Sequence, residues 1–193
     1  MSKSTIILLV VLGVFGMYGC STYNGLATQN QEVEAAWAKV QTQYQRRLDL
    51  IPNLVNTVQG AANFEKSTLT AVIEARSKAT SIQLKADDIT PENMAKFQEA
   101  QSQLSGALSR LMAVAENYPQ LKATQNFSEL QAQLEGTENR IAVERNNFND
   151  IVKAFNQRVV TFPTNLLAGM FGFSKKGFFE ADAAAQKAPT VKF

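Results

Sequence analysis

The sequence predicts an all-α fold, an antiparallel helical bundle with a very long first helix. Three observations carry this. Apolar residues recur at steps of three, four and seven along three long stretches. Few glycines or prolines interrupt the first of them. No segment shows the strict alternation of a half-buried strand, and no internal repeat is present.

The first element spans residues 1–20. Lys3 gives a positive start, Ile6 to Met17 carry no charge, and Tyr18-Gly19-Cys20 follow. This is the pattern of a secretory signal. The apolar run is about a dozen residues, short of the ~20 that a spanning helix prefers. Two readings follow: a cleaved signal with Cys20 as the lipidation site, or an uncleaved anchor. Both tether the chain to a membrane by its N-terminus and send the remainder to the extracytoplasmic side.

The bundle domain is expected over 21–163. Its first stripe runs through Val33, Trp37, Val40, Tyr44, Leu48, Ile51, Val55, Val58, Leu69 and Val72. Pro52 stands inside it. Proline lacks a donor and clashes with the preceding turn, so it should kink or break the helix there. The stripe nevertheless crosses Pro52 in phase. A break would leave four comparable helices; a kink would leave three, the first overhanging. Thr90-Pro91-Glu92 then mark a helix start, with a hydroxyl cap, proline in the first turn and an acid at the positive end. The stripe Met94, Phe97, Leu104, Leu108, Leu111, Ala115 follows, and Pro119 is expected to stop it. Asn126 with Glu129 resembles a capping pair. A third long helix carries Phe127, Leu134, Ile141, Phe148, Val152, Phe155 and Val159 to Pro163. Facing stripes joined by short connections make a bundle. The tail over 164–193 crowds phenylalanines among glycines and then turns alanine-rich, which predicts a short helix followed by irregular chain packed on or beside the bundle.

Composition removes whole classes of chemistry. The 193 residues include no histidine and one cysteine. A Ser-His-Asp triad, a Cys-His pair, an internal disulfide and a conventional zinc centre are therefore excluded. Nineteen basic against seventeen acidic residues give a formal charge of +2, with no clustered basic face for nucleic acid. No cofactor is expected. Asp87-Asp88 lacks the spaced ligands of a calcium loop, and Gly169-Met170-Phe171-Gly172 is no phosphate loop.

Polar residues at stripe phase are the candidates for a network: Arg47, Glu65, Arg76, Glu138, Arg140, Glu144 and Arg145. Such groups either shift a carboxylate pKa for proton transfer or, more commonly, fix helix register by ion pairing. Arg46-Arg47-Leu48-Asp49 also offers charge to an anionic partner. In the tail, Phe171, Phe173, Phe178 and Phe179 either contact a partner or membrane interface, or fold back to seal the bundle.

Several runs resemble one family. They are Tyr23-Asn24-Gly25-Leu26, Ala36-Trp37-Ala38, RRLDLIPNLVNTV over 46–58, Glu74-Ala75-Arg76, and AVAENYPQLKATQNFSELQAQLEGTENRIA over 113–142. FNDIVKAFN over 148–156, Phe162-Pro163-Thr164-Asn165 and the closing Pro189-Thr190-Val191-Lys192-Phe193 complete the set. On these the chain is identified as a member of the LemA family. The resemblance implies a bacterial, N-terminally anchored bundle of the four-helix type. It implies no established enzymatic activity and no catalytic residues. The Gly19-Cys20 pair departs from the longer, uncleaved anchor of many relatives. The favoured reading is a membrane-tethered scaffold or adaptor of the cell envelope, not an enzyme, with a protein partner. The alternative is a bundle binding a small ligand or lipid. A hydrolase using Glu65, Glu138 and Glu144 is the third, and it needs those carboxylates to converge.

Overall fold

The apolar spacing produces helices where it was expected, with different ends. A computed structural model of the chain describes residues 2–61 and 64–180. Regular structure among them is entirely helical. The elements are α1 (Lys3–Gln59), α2 (Lys66–Ser81), a single 3-10 turn (Ala86–Asp88), α3 (Pro91–Ala115), α4 (Pro119–Lys122), α5 (Gln125–Val160) and α6 (Thr164–Met170). The alanine-rich segment and Pro189 lie outside the described residues.

The helix does not break at Pro52. α1 runs through it for 57 residues and ends at Gly60, where Ala61 N–H turns back to the Val58 carbonyl at 3.0 Å. The proline's missing N–H leaves the Leu48 carbonyl without its helical donor. Arg76 of α2 supplies one: its Nε donates to Leu48 O at 3.1 Å. A part-buried carbonyl is thus satisfied from outside the helix, one way in which a mid-helix proline is accommodated. Arg76→Met is expected to destabilise the protein by about 1–3 kcal/mol, the cost of stranding a part-buried acceptor. In a Pro52→Ala background the backbone regains an N–H that can fill the gap, so that cost should fall by more than half. Denaturant unfolding of the four proteins of this cycle measures it. Equal costs in both backgrounds would remove Arg76 from this role.

Other caps differ from expectation in detail. Thr90 caps α3 as anticipated, its Oγ1 accepting from Asn93 N–H at 3.2 Å. Glu92 in the first turn pairs with Lys96 at 2.7 Å; that hydrogen bond and the Lys96 charge hold its carboxyl below the usual value. Pro119 does not stop α3 but opens the short α4. α5 begins after Thr124, and Glu129 accepts from the Gln125 side chain instead of closing a capping box on Asn126.

α1 packs along α5 and α2 along α3, while α6 rests on both α1 and α5. The interior falls into two clusters. Nearer the N-terminal end, Leu26, Val33, Trp37, Val40 and Tyr44 of α1 meet Met94 and Phe97 of α3 and Ile141, Phe148, Val152 and Phe155 of α5. At the other end, Ile51, Leu54 and Val58 of α1 meet Leu69 and Val72 of α2, Leu104 and Leu111 of α3, and Phe127 and Leu134 of α5. The matching of early α1 with late α5 makes that pair antiparallel. α1 before Thr22 has no such partners: Ile6 to Phe15 are exposed along its length. That part of α1 is long and apolar enough to cross a membrane.

Candidate functional site: the Arg47 junction and the clamped tail

Between the two clusters, α1 places Arg47 at 1% exposure, one turn from Tyr44 and beside Leu48. A charge this deep must be hydrogen-bonded or it is severely unfavourable. Its Nη1 donates to Ser105 Oγ and Glu138 Oε1, each at 2.8 Å, and its Nη2 to Gln101 Oε1. Its guanidinium carbon lies 5.1 Å from the Tyr44 ring centre. Its Nε is buried without a hydrogen-bond partner among the described residues. One side chain of α1 is thus tied to two residues of α3 and one of α5, which fixes their relative heights. Glu138 is 42% exposed on its far side, so solvent still reaches the carboxylate.

The remaining candidates separate. Arg76 serves Pro52, as described. Glu65 is exposed ahead of α2, where Ser67 Oγ donates to its carboxylate. Arg140 is exposed and Glu144 half-buried, and neither joins the Arg47 group. Glu144 follows Glu138 by six residues, about 240° around the helix. The three carboxylates required for hydrolysis therefore do not converge. No cluster of three metal-binding side chains occurs among the described residues. A groove of about 1000 Å³ beside α1 has a mixed lining, with Gln41, Gln45 and Asp49 beside Tyr44, Ile82 and Phe97.

The phenylalanines also divide. Phe179 is 5% exposed and is core: its ring lies 5.6 Å from Phe148, 6.0 Å from Trp37, 6.4 Å from Phe97 and 6.5 Å from Tyr44. Arg145 stacks over it at 4.8 Å and donates to the Glu180 carbonyl at 3.2 Å. Phe173 is half-buried between Phe155 and Tyr23, whereas Phe171, against Tyr23 at 5.2 Å, is partly exposed. Phe178 faces outward.

The tail that carries them is held as an extended chain between α3 and α5 by side-chain amides. Asn156 donates to the Lys176 carbonyl and accepts from its N–H, both at 2.8 Å. Asn149 does the same to Phe179, both at 2.9 Å. Gln98 donates to the Glu180 carbonyl at 2.7 Å and accepts its N–H at 3.0 Å. Gly177 N–H reaches the Ile89 carbonyl at 2.9 Å, and a Cβ at 177 would stand 2.8 Å from Thr90 O and from Met94 Cγ. Each amide satisfies both polar groups of one backbone unit, as a neighbouring strand would. Sequence reasoning did not single out these amides. The spacing of Asn149 and Asn156, seven residues apart beside Phe148 and Phe155, was the available signal. Gln101, midway between Phe97 and Leu104, was equally readable as a polar residue at stripe phase.

Between α3 and α5, the described residues also line a hollow of about 490 Å³, floored by Leu108, Met112 and Leu134 and edged by Ser105, Glu135 and Glu138.

Comparison with known proteins points to one family. The model of the LemA family matches residues 36–193. The chain is 26% identical to Protein LemA of Metamycoplasma hominis, over 90% of this chain and 75% of that protein. It is 25% identical to the magnetosome protein MamQ 2 of Paramagnetospirillum magneticum, over 84% of this chain and 66% of that one. Against the magnetosome protein MamQ of Magnetospirillum gryphiswaldense it is 23% identical, over 95% and 76%. The chain thus spans about two thirds to three quarters of these relatives.

Proposed function

We start from the fact that the chain belongs to the LemA family, and we propose that it is a membrane-tethered scaffold or adaptor of the bacterial cell envelope with no catalytic step of its own. The long apolar start of α1 supports membrane association, as do relatives named as magnetosome proteins. In this reading the bundle stands on the extracytoplasmic side, and the tether is either α1 itself or a lipid on Cys20, which lies exposed on the helix. The rods α1, α2, α3 and α5 form a bundle of the four-helix type over 21–163, closed on one side by the tail.

The observation that carries the reading is the α3–α5 groove. One end holds the tail by its backbone, and the hollow further along is, among the described residues, unfilled and floored by apolar side chains. We assign that open part to an extended segment of a protein partner. The test places a photoreactive benzoylphenylalanine at Ser109, on the groove rim, or at Ile73, exposed on α2, in the full chain in its own membrane. A discrete adduct at 109, absent at 73 and reduced at least ~5-fold by Met112→Glu, is expected for a groove-bound partner. Identical adducts at both positions, or none at 109, would overturn the assignment.

A further inference from the structure

The short helix α6 breaks the usual pattern of an amphipathic helix. Leu167 and Ala168 are buried against the bundle. The opposite face should be polar, yet it carries Leu166 at 61% and Met170 at 80% exposure. Phe162, one turn earlier, is 74% exposed. Residues 162, 166 and 170 are spaced by four, so the two helical ones share a face and the third leads into it. Large apolar side chains grouped in this way mark a contact surface.

The place of α6 in the fold names the occupant. Tyr23, where α1 emerges from its apolar segment, packs edge-on against Phe171, at the end of α6, and against Phe173. Gly25 of α1 lies directly beneath the Arg158 guanidinium near the end of α5. The exposed apolar face is therefore level with the point where α1 leaves the membrane. From Lys3 to Tyr23 the helix rises about 30 Å, the thickness of a hydrocarbon core. If Cys20 carries lipid instead, the membrane surface lies within about 5 Å of the same level, since three residues separate Cys20 from Tyr23. Either tether puts lipid beside α6. Tyr23 suits the interfacial zone, where aromatic rings with a polar tip collect. Arg158 stands beside this end with charge for anionic headgroups.

We propose that Phe162, Leu166 and Met170 form a membrane foot: α6 lies in the lipid interface next to α1 and is the bundle's second contact with the bilayer. A single helical tether leaves a bundle free to tilt; two adjacent contacts fix its orientation and hold the α3–α5 groove at a set height. This rests on the tether reading above.

The experiment separates the two claims. The full chain is prepared in vesicles of phosphatidylethanolamine and phosphatidylglycerol with benzoylphenylalanine in place of Leu166, Met170 or, as control, Val143, which is 64% exposed on α5. Retention on the vesicles in high salt reads the tether. After irradiation, lipid adducts at 166 and 170 are expected at least ~5-fold above those at 143. A retained chain with no excess of lipid adducts at 166 and 170 overturns the foot and leaves the tether intact. Adducts to protein at those positions overturn it in favour of a protein contact. A chain that washes off the vesicles sinks the tether reading itself. Leu166→Ser with Met170→Ser, at exposed positions, should leave thermal unfolding unchanged and lower the adduct yield of a photoreactive group at position 162 to the level of 143.

Discussion

Arg47→Ala is expected to cost about 3–5 kcal/mol of stability, the largest loss from any single polar side chain in this protein. Truncation leaves Gln101, Ser105 and Glu138 facing a cavity at the meeting point of three helices. Glu138→Gln should cost less, about 1–2 kcal/mol, because Glu138 is partly solvated and the amide oxygen still accepts a bond. Arg47→Met, which refills the cavity but leaves Gln101, Ser105 and Glu138 without their donor, should recover less than half of the alanine loss. Denaturant unfolding followed by far-ultraviolet dichroism gives all three values. If Arg47→Ala unfolds within about 1 kcal/mol of the parent, the guanidinium is not the tie between α1, α3 and α5 that its hydrogen bonds describe.

Phe179→Ala is the second large effect, at about 3–5 kcal/mol, as for a phenylalanine removed from a packed interior. In a chain of this length that corresponds to a fall of about 6–20 °C in Tm. The ring fills the gap between Trp37, Phe97 and Phe148, so its loss removes core from both α3 and α5. It also releases the only side chain by which residues 174–180 are anchored deeply. Amide exchange should therefore rise at Lys176, Gly177 and Phe179, whose N–H groups bond to Asn156, Ile89 and Asn149, well before it rises in α5. Phe178→Ala, at an outward position on the same segment, should change neither quantity. Equal effects at 178 and 179 would show that the tail is not held by this ring.

Much of the helical layout was legible because burial imposes a period. Trp37, Phe97, Phe148 and Phe155 stand at stripe positions, and all are buried. Thr90-Pro91-Glu92 opened α3 as its chemistry requires. Arg47 and Glu138 were both readable as polar residues among apolar neighbours. Their pairing was not, since 91 residues separate them and the stripe specifies a face, not a partner. Glu65 and Arg140 satisfied the same local criterion and face solvent. A stripe read along one helix cannot say where its edge meets water, because the neighbouring helix decides that.

Pro52 marks the same division from the other side. Local chemistry alone sets a cost on a proline within a helix, and the helix continues because Arg76, from a different element, supplies the missing donor. The amphipathic period, the Thr90 cap of α3 and the apolar start belonged to the sequence, since each depends only on residues within a few turns of one another. Which polar groups pair, that the tail threads between α3 and α5, and that the end of α6 packs beside Tyr23 of α1 were decided by tertiary structure. Those contacts join segments distant in the chain, and their energy exists only once several helices have docked together.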